Sequence, residues 1–364
     1  MSHEIELKLA IDHHFADFLS QEMTGFRVLA QKQVMLENCY YDTVNQFFAK
    51  QKMGLRVRSE ENEHVLTLKT HGKIQGGLHI RPEYNVVLDS AQPQLEKLKR
   101  FTELEAFENI DLNDLQQQLY PIFRTDFQRQ FWHIQLANGA EIEVALDQGD
   151  IVAGEKVERI CEAEFELKSG VVDDLLTFVE GLSLVDGVRV SSISKAQRGY
   201  KLANPQLQMP IDWIARWRQL IEHEKSAVNP EEKLTALFQH EQQLIEDTIN
   251  LDKTTITQNF VKTVERVGAF FNLYFHYVEH GKWFEQLLVE KLEKQAQDGS
   301  HVRLDREIVE QLIESNERLL KNVKNIIQQH SEQKDNDKAL AQLIEMVQVG
   351  SYVHRMIGLI RLTM

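Results

Sequence analysis

The most restrictive feature of this sequence is an alternation of charged and apolar residues that keeps returning in its first 200 residues. In the opening segment, Glu4, Glu6 and Lys8 alternate with aliphatic residues. Successive side chains of an extended chain point to opposite faces, so these three charges share one face of a strand. A single strand of this kind is typical of a solvated sheet edge, and its meaning depends on whether the pattern recurs.

The same alternation recurs in five further segments. It places Arg56 with Arg58, Thr67 with Lys69, Arg81 with Glu83, Glu141 with Glu143, and Glu162 and Glu164 with Glu166. The signs are segregated, since the first and last segments are mainly acidic while the 56–58 and 67–69 segments are basic. An ordinary exposed sheet mixes signs to form cross-strand pairs. If the strands close into a barrel whose outside is covered by apolar packing, the charges line its interior.

A lumen with one carboxylate wall and one basic wall suits a divalent cation bound to a polyanion. Hard cations such as Mg²⁺ take carboxylate oxygens and keep water or phosphate oxygens as their other ligands. Arginine matches phosphate bidentately, and lysine supplies a compact charge. The pattern thus indicates a phosphate-handling site inside the barrel.

Length and composition narrow the function classes. The chain has 364 residues, so two domains are expected. A formal net charge of −15 argues against a nucleic-acid partner. No apolar run is long enough to cross a membrane and no signal segment is evident, so we expect no membrane association. Cys39 and Cys161 show neither metal spacing nor a disulfide framework, which favours a cytoplasmic location.

The periodicity changes near residue 210. Before it, strand-like segments occupy Gly54–Ser59, Glu63–Thr70, Leu78–Leu88, Phe127–Leu136, Ala140–Leu146 and Lys156–Lys168. After it, apolar residues recur every three or four positions over Ile211–Glu224, Pro230–Leu251, Thr255–Gln295, Arg303–Gln329 and Lys338–Thr363. We predict a domain at 1–203, a proline-containing linker at 204–210 and an all-α bundle at 211–364, which is an α+β protein.

The order of the charged segments resembles the CYTH superfamily, also called triphosphate tunnel metalloenzymes. The resemblance rests on Glu4-x-Glu6-x-Lys8, Arg56-x-Arg58, Leu66–Lys69, Arg81-x-Glu83, Pro121–Arg129, the Glu141-x-Glu143 strand running to Asp147, Glu162–Lys168 and Ser194–Tyr200. It covers about 200 residues and is most similar to bacterial inorganic triphosphatases, in which a CYTH domain precedes a helical domain. The resemblance implies an eight-stranded antiparallel barrel forming a triphosphate tunnel.

The resemblance also implies residue roles. Glu4, Glu6 and Lys8 would be catalytic. The metal ligands, for Mg²⁺ or Mn²⁺, would come from Glu4, Glu6, Asp147, Glu162, Glu164 and Glu166. The triphosphate would be held by Lys8, Arg56, Arg58, Lys69, Arg81, Arg129 and Lys195. The implied reaction is hydrolysis of tripolyphosphate to pyrophosphate and phosphate.

Several alternatives stay open at this point. Spacing does not decide which two of Glu162, Glu164 and Glu166 bind metal. Arg124 and Arg129 lie on opposite faces of one strand, and we favour Arg129 as the inward residue. The function alternatives are a thiamine-triphosphatase, a nucleoside triphosphatase or an adenylate cyclase of the same superfamily, or a non-catalytic polyphosphate-binding module.

The helical half departs from the pattern of its counterpart in the family. That counterpart is often CHAD, a basic, histidine-rich bundle associated with polyphosphate. Here residues 204–364 hold 19 Lys and Arg against 24 Asp and Glu, so the segment is mildly acidic. We therefore interpret it as a divergent CHAD-like bundle with a structural or dimerising role, through which a homo-oligomer could form.

Overall fold

The chain folds into two compact units. The computed structural model describes residues 3–104, 107–108, 110–204, 211–250, 257–298 and 303–364. The first unit contains the described residues up to 175 and those from 193 to 204, and the second contains residues 176–192 and those from 211 onward. The predicted domain bounds of 1–203 and 211–364 stay a prediction, and 176–192 group with the helical unit. Most of the predicted linker, 205–210, lies outside the described residues.

Nine strands build the first unit. They are β1 (His3–Ala10), β2 (Arg27–Asp42), β3 (Gly54–Glu60), β4 (Glu63–Lys69), β5 (Lys73–Gln75), β6 (Leu78–Leu88), β7 (Tyr120–Gln135), β8 (Glu141–Ala153) and β9 (Lys156–Ser169). The sequence prediction missed β2, β5, the first half of β7 and the second half of β8. The inward positions of β2 carry few charges, so the alternation that marks the other strands is weak there.

Eight of these strands close into an antiparallel barrel. Following the hydrogen bonds, the order is β1, β9, β8, β7, β2, β3, β4, β6 and back to β1. Closure removes free sheet edges. The fold-class prediction, an antiparallel eight-stranded barrel followed by helices, is therefore confirmed.

Short helices cover the barrel. They are α1 (His13–Glu22), α2 (Phe47–Lys50), α3 (Leu112–Gln117) and a 3₁₀ helix at Leu95–Arg100, and side-chain caps begin α1 at Asp12 and α3 at Asp111. An outer apolar cluster joins α2, α3 and the 3₁₀ helix to the outward faces of β3, β4 and β6 through residues such as Leu55, Leu66, Tyr84, Leu98 and Leu115. With its outer face packed in this way, each strand must turn its alternate, charged residues into the barrel.

An apolar layer also lies inside the barrel toward one end. It contains Leu36, Tyr40, Phe123, Ile151 and Ile160, which share strand faces with the inward charges. The helix α5 (Lys195–Ala203) packs against this layer, and the Ser194 side chain begins the helix through a capping box with Gln197. The layer and the helix together place the first turn of α5 beside the barrel interior.

The second unit is helical. It comprises α6 (Trp213–Ser226), α7 (Pro230–Asn250), α8 (Phe260–Glu279), α9 (Lys282–Asp298), α10 (Arg306–Gln333), α11 (Asn336–Val347) and α12 (Gly350–Thr363), with the end of α4 (Val172–Glu180) and a short strand, β10 (Arg189–Val190). Two of the predicted helices are each divided in two, at Gly281 and near Val349. The start of one predicted helix, at Thr255, lies outside the described residues.

A buried polar cluster lies at the centre of this bundle. Arg355 donates to Glu241 at 2.7 Å and to Asn316 at 2.8 Å, and both charged side chains are almost fully buried. Tyr274 and Tyr277 donate to the same glutamate at 3.3 and 2.8 Å. A buried charge is tolerated only when it is paired and hydrogen-bonded. The cluster therefore acts as a structural tie between helices that are far apart in the sequence.

The buried imidazole of His240 predicts a pH dependence of stability. Burial, with a smaller contribution from Arg216, lowers the pKa of His240 from 6.5 to about 4. Between these two pKa values the unfolded chain binds a proton at His240 that the folded chain does not bind. The stability present above pH 6.5 is therefore lost as the pH falls toward 4. Lowering the pH from 8 to 5 should reduce the free energy of unfolding by about 2 kcal/mol through this group.

Replacing His240 by Gln should remove that part of the pH dependence. Urea unfolding at the two pH values measures it, because only the difference between them matters. The exposed His223 on α6 offers a matched control, His223→Gln, which should follow the wild type. Equal pH slopes for the two variants would contradict the assignment.

Candidate active site

Two buried carboxylates and one partly buried carboxylate meet on neighbouring strands inside the barrel. Oxygen atoms of Asp147 on β8 and of Glu162 and Glu164 on β9 lie within 4.8 Å of one another. The register explains the meeting, since Asp147 pairs with Glu162 across the two strands and Lys8 pairs with Glu164 on the other side. We call these three residues the carboxylate cluster. Of the three glutamates left open by the sequence, Glu162 and Glu164 belong to it.

Three cations lie among these carboxylates. Lys8 donates to Glu164 and, at 3.3 Å, to Glu162. Lys195 contacts Asp147 at 2.6 Å, Glu164 at 3.0 Å and Glu162. Arg129 donates two hydrogen bonds to Asp147, at 2.7 and 2.6 Å, and one to Glu164 at 2.5 Å. The cluster thus has a dense set of positive partners on nearly every side.

These contacts shift the pKa values of Glu164, Asp147 and Lys8. Burial opposes ionisation, yet Lys195, Lys8 and Arg129 together hold the pKa of Glu164 well below its ordinary value. Burial is likewise outweighed at Asp147, whose pKa is lowered by Arg129 and Lys195. For Lys8, Glu162 and Glu164 outweigh burial and raise the pKa. Every one of these groups is therefore charged at neutral pH, as ligands for a cation or a polyanion must be.

A second charged group surrounds Glu4 and Glu6 on β1. Arg81 on β6 donates to Glu4 at 3.1 Å and to Glu6 at 2.8 Å, since β1 and β6 pair at this point. Lys69 contacts Glu4 at 2.5 Å and Glu83 at 3.1 Å. Lys8 links this group to the carboxylate cluster, with its ammonium 3.9 Å from Glu6. The two acidic strands of the sequence prediction therefore form one connected network.

The two arginines of β3 are less fully neutralised. Arg58 donates to Asn38 at 3.0 Å, and no ion pair to Arg58 occurs among the described residues. Arg56 reaches Glu83 only at 4.0 Å, and its buried Nε has no hydrogen-bond partner within the described chain. Burial and the neighbouring Arg56 and Arg129 lower the pKa of Arg58 to about 9. This crowding of positive charge with free donors is a ready site for an anion.

Glu166 lies apart from the carboxylate cluster. It contacts Lys168 at 2.8 Å, and its side chain is 29% exposed. Burial, partly offset by Lys168, raises its pKa to about 7. Arg124 lies outside the network as well, with a side chain that is 61% exposed and paired with Asp126. Its partner on the strand, Arg129, is the inward residue, as its contacts with Asp147 and Glu164 require.

Comparison with known proteins identifies the family. The CYTH domain model matches residues 2–200. The inorganic triphosphatase of Haemophilus influenzae is 43% identical over 366 aligned positions, which cover 100% of this chain and 98% of that protein. The chain belongs to the CYTH family.

The solved structures that match this chain are more distant in sequence. HpAC1 of Hippeastrum, reported with a dominant triphosphatase activity, is 18% identical and aligns over 57% of this chain and 99% of its own, with a TM-score of 0.40. The PH1819 protein of Pyrococcus horikoshii is 17% identical over 56% of this chain and 99% of its own, with a TM-score of 0.32.

The CYTH barrel includes site residues that the sequence reasoning did not assign. Arg198 donates to Glu158 at 2.7 Å and to Glu162 at 3.2 Å. Its position one helical turn after Lys195 on α5 could have indicated that both reach the same place. The inward residues of β2, Asn38 and Tyr40, touch Arg58 and Arg56. Being neutral, they gave no charge pattern. Among the other inward acidic residues, Glu83 contacts Lys69, Glu143 contacts Lys168 and Glu141 contacts His133.

Close packing of α5 on β7 positions Lys195, the first residue of α5. A Cβ atom at Gly199 would overlap the ring of Phe123, whose own ring stacks on Tyr40. Gly199→Ala should therefore shift the helix and cost about 1–3 kcal/mol of unfolding free energy. Thermal unfolding measures the loss. Gly268→Ala in α8, where a Cβ meets open space, is the matched control and should be neutral or slightly stabilising.

Proposed function

We propose that this protein is a metal-dependent inorganic triphosphatase that hydrolyses tripolyphosphate to pyrophosphate and phosphate inside the barrel. The full-length similarity to the triphosphatase of Haemophilus influenzae supports the reaction class. The observation that carries the proposal is the arrangement of the lumen. The largely buried carboxylate cluster shares the lumen with two partly buried arginines, of which Arg56 has an unpaired Nε and Arg58 has no ion pair among the described residues. That combination binds a cation and a polyphosphate together.

The donor set of the carboxylate cluster fits a hard divalent cation. Its three side chains offer only carboxylate oxygens, all within reach of a common centre. We infer that Asp147, Glu162 and Glu164 would hold Mg²⁺ or Mn²⁺, with Glu4 and Glu6 completing the acidic wall. When bound, the ion would neutralise charge on the phosphate oxygens and acidify a nearby water.

The basic residues have a different task, which is to hold the phosphate chain in line. Arg56 and Arg58 have no carboxylate at hydrogen-bond distance that would compete with a phosphate. They would therefore bind the phosphate oxygens first, and rearranging their side chains would cost little free energy. Lys69, Arg81, Arg129 and Lys195 are now paired with carboxylates and would exchange part of that pairing for phosphate oxygens. Charge-assisted contacts of this kind contribute about 1.5–3 kcal/mol each. Holding the reacting groups in line is a large part of phosphoryl-transfer catalysis.

Lys8 and Lys195 would stabilise the charge that develops during transfer. Both ammonium groups are fully buried and already lie between carboxylates at the base of the site. Preorganised charges that exclude water stabilise a transition state without reorganisation. A carboxylate of the acidic wall would orient the attacking water and accept its proton.

Phosphate release by the purified protein tests the proposal. Tripolyphosphate, ATP and thiamine triphosphate would be compared with Mg²⁺, with Mn²⁺ and with a chelator. We expect rapid release from tripolyphosphate that the chelator abolishes and either metal restores. Preference for ATP or thiamine triphosphate would replace the substrate while keeping the reaction class. Tight binding of tripolyphosphate without release from any of the three would instead indicate a binding module.

The cellular setting is also a proposal. Among the described residues, no helix combines the length and apolarity that crossing a bilayer requires. Cys39 and Cys161 are both free thiols. We infer a cytoplasmic protein that acts on a small phosphate compound rather than on nucleic acid or a membrane, with the helical unit as the candidate surface for self-association.

A further inference from the structure

A histidine–carboxylate cluster occurs in the helical unit and shares no residue with the barrel site. His276 and His280 are four residues apart at the end of α8, so their side chains lie on one face of the helix. Glu224 on α6 faces them. Potential ligand atoms of the three residues lie within 4.8 Å of one another. Two histidines at this spacing and one carboxylate are a common protein donor set for zinc.

We propose that Glu224, His276 and His280 form a second metal site, for Zn²⁺ or a chemically similar ion. The Nε2 atom of His276 lies 2.6 Å from one oxygen of Glu224, and the Nε2 atom of His280 lies 4.0 Å from the other. Donors around a tetrahedral Zn²⁺ are about 3.3 Å apart, given bonds of about 2.0–2.1 Å. Small side-chain rotations, together with loss of the proton that His276 Nε2 donates to Glu224, would place all three around one ion; metal binding commonly releases a proton in this way.

The hydrogen bonds already present favour binding by His280. Its Nδ1 atom lies 3.0 Å from the backbone carbonyl of His276. A carbonyl oxygen can only accept, so the proton sits on Nδ1 and the Nε2 lone pair is left for a ligand. Metal-binding histidines are usually oriented in this way by a hydrogen bond at the other ring nitrogen.

The aromatic surroundings hold the imidazoles in place. Trp283 packs on His280 at 4.3 Å between ring centroids, and Trp217 meets His276 edge-on at 5.4 Å. The side chain of His276 is 12% exposed and that of His280 is 35% exposed. The first is thus fixed in the bundle while the second faces the route by which an ion would enter. Water can fill the fourth position, as at zinc sites with three protein ligands.

The nature of the donors separates this site from the barrel. Nitrogen ligands favour Zn²⁺ and related transition metals, whereas the all-oxygen carboxylate cluster favours Mg²⁺ or Mn²⁺. The proposal does not depend on the proposed function, because the two sites share no residue and differ in the metal they select.

Metal titration of the full chain, after chelator treatment and dialysis, tests the inference. Zn²⁺ would be measured by competition with a chromophoric chelator, and Co²⁺ by the visible absorption of a low-symmetry nitrogen-ligated site. Glu164→Gln, which disables the carboxylate cluster, serves as the background. We expect one equivalent bound in that background, and a rise in melting temperature with added Zn²⁺.

Variants of the histidines decide between a site and simple packing. His276→Ala and His280→Ala should each weaken Zn²⁺ binding by at least about tenfold, the scale of loss on removing even an outer partner of a metal site. The exposed His223, next to Glu224 in the sequence, provides the control. His223→Ala should bind Zn²⁺ as tightly as the Glu164→Gln protein. Glu224→Gln keeps the packing and should also weaken binding, so a misfolded histidine variant does not leave the question open. Absence of stoichiometric binding, or equal binding by all variants, would overturn the proposal.

Discussion

Replacing Glu164 by Gln should lower metal-dependent phosphate release from tripolyphosphate by roughly 10²–10³-fold, the scale of loss when one preorganised charge partner is removed from a transition state. Its carboxylate is part of the carboxylate cluster and accepts hydrogen bonds from Lys8, Lys195 and Arg129. The amide keeps the shape but removes the negative charge. The ion would then be held by two carboxylates in place of three, so the metal concentration for half-maximal activity should rise as well.

Glu166 on the same strand provides the control for this variant. Glu166→Gln makes the same chemical change two residues further along, at a side chain that is outside the cluster. It should retain most of the activity and the metal dependence of the wild type. Phosphate release at several metal concentrations, with melting curves for each variant, measures both effects. Equal losses in the two variants would show that Glu166 holds the ion together with Glu162 and Glu164.

Replacing Arg58 by Gln should reduce kcat/KM for tripolyphosphate by about 10–100-fold, equivalent to about 1.5–3 kcal/mol for a charge-assisted contact. The same change should leave the substrate-free protein as stable as the wild type, or more stable. Burial and two neighbouring arginines already oppose the charge of Arg58, which is why its pKa is lowered to about 9. Removing it relieves that repulsion, whereas the substrate loses a donor.

Arg124→Gln is the matched control, because this arginine is exposed on β7 and pairs only with Asp126 within the described chain. Its kcat/KM should stay close to that of the wild type. Steady-state kinetics and thermal unfolding of both variants test the claim. A strongly destabilised Arg58→Gln protein, or unchanged kinetics, would show that this arginine serves the fold and not the substrate.

The inward charges could be predicted because they follow from local periodicity, whereas the closed eight-stranded barrel was predicted from the resemblance to the CYTH superfamily. A carboxylate at every second position, as in Glu162, Glu164 and Glu166, places the charges on one face whatever the strand pairs with. Covering the opposite face with apolar residues such as Leu66 and Phe165 then requires the charges to point inward. The choice of Arg129 over Arg124 followed from the same period.

The grouping of the charges could not be predicted, because it depends on register between strands that are distant in the sequence. Pairing Asp147 with Glu162, and Lys8 with Glu164, assembles the carboxylate cluster and leaves Glu166 with Lys168. A shift of one residue in the pairing register would move the inward side chains of a strand to the outer face of the barrel. The histidine pair of α8 was also passed over, since its carboxylate partner, Glu224, lies 52 positions before His276.

The path of the chain through the two units constrains how this protein could have been assembled. The barrel unit ends near residue 175, resumes at 193 and only then supplies Lys195, one of the innermost charges. A gene fragment ending after the ninth strand would thus encode a barrel without that lysine. The helical unit, in turn, owns the 176–192 stretch and would lose it in a fragment that starts near 211. A fragment that keeps the barrel site complete must therefore run past Lys195 and take the 176–192 stretch with it.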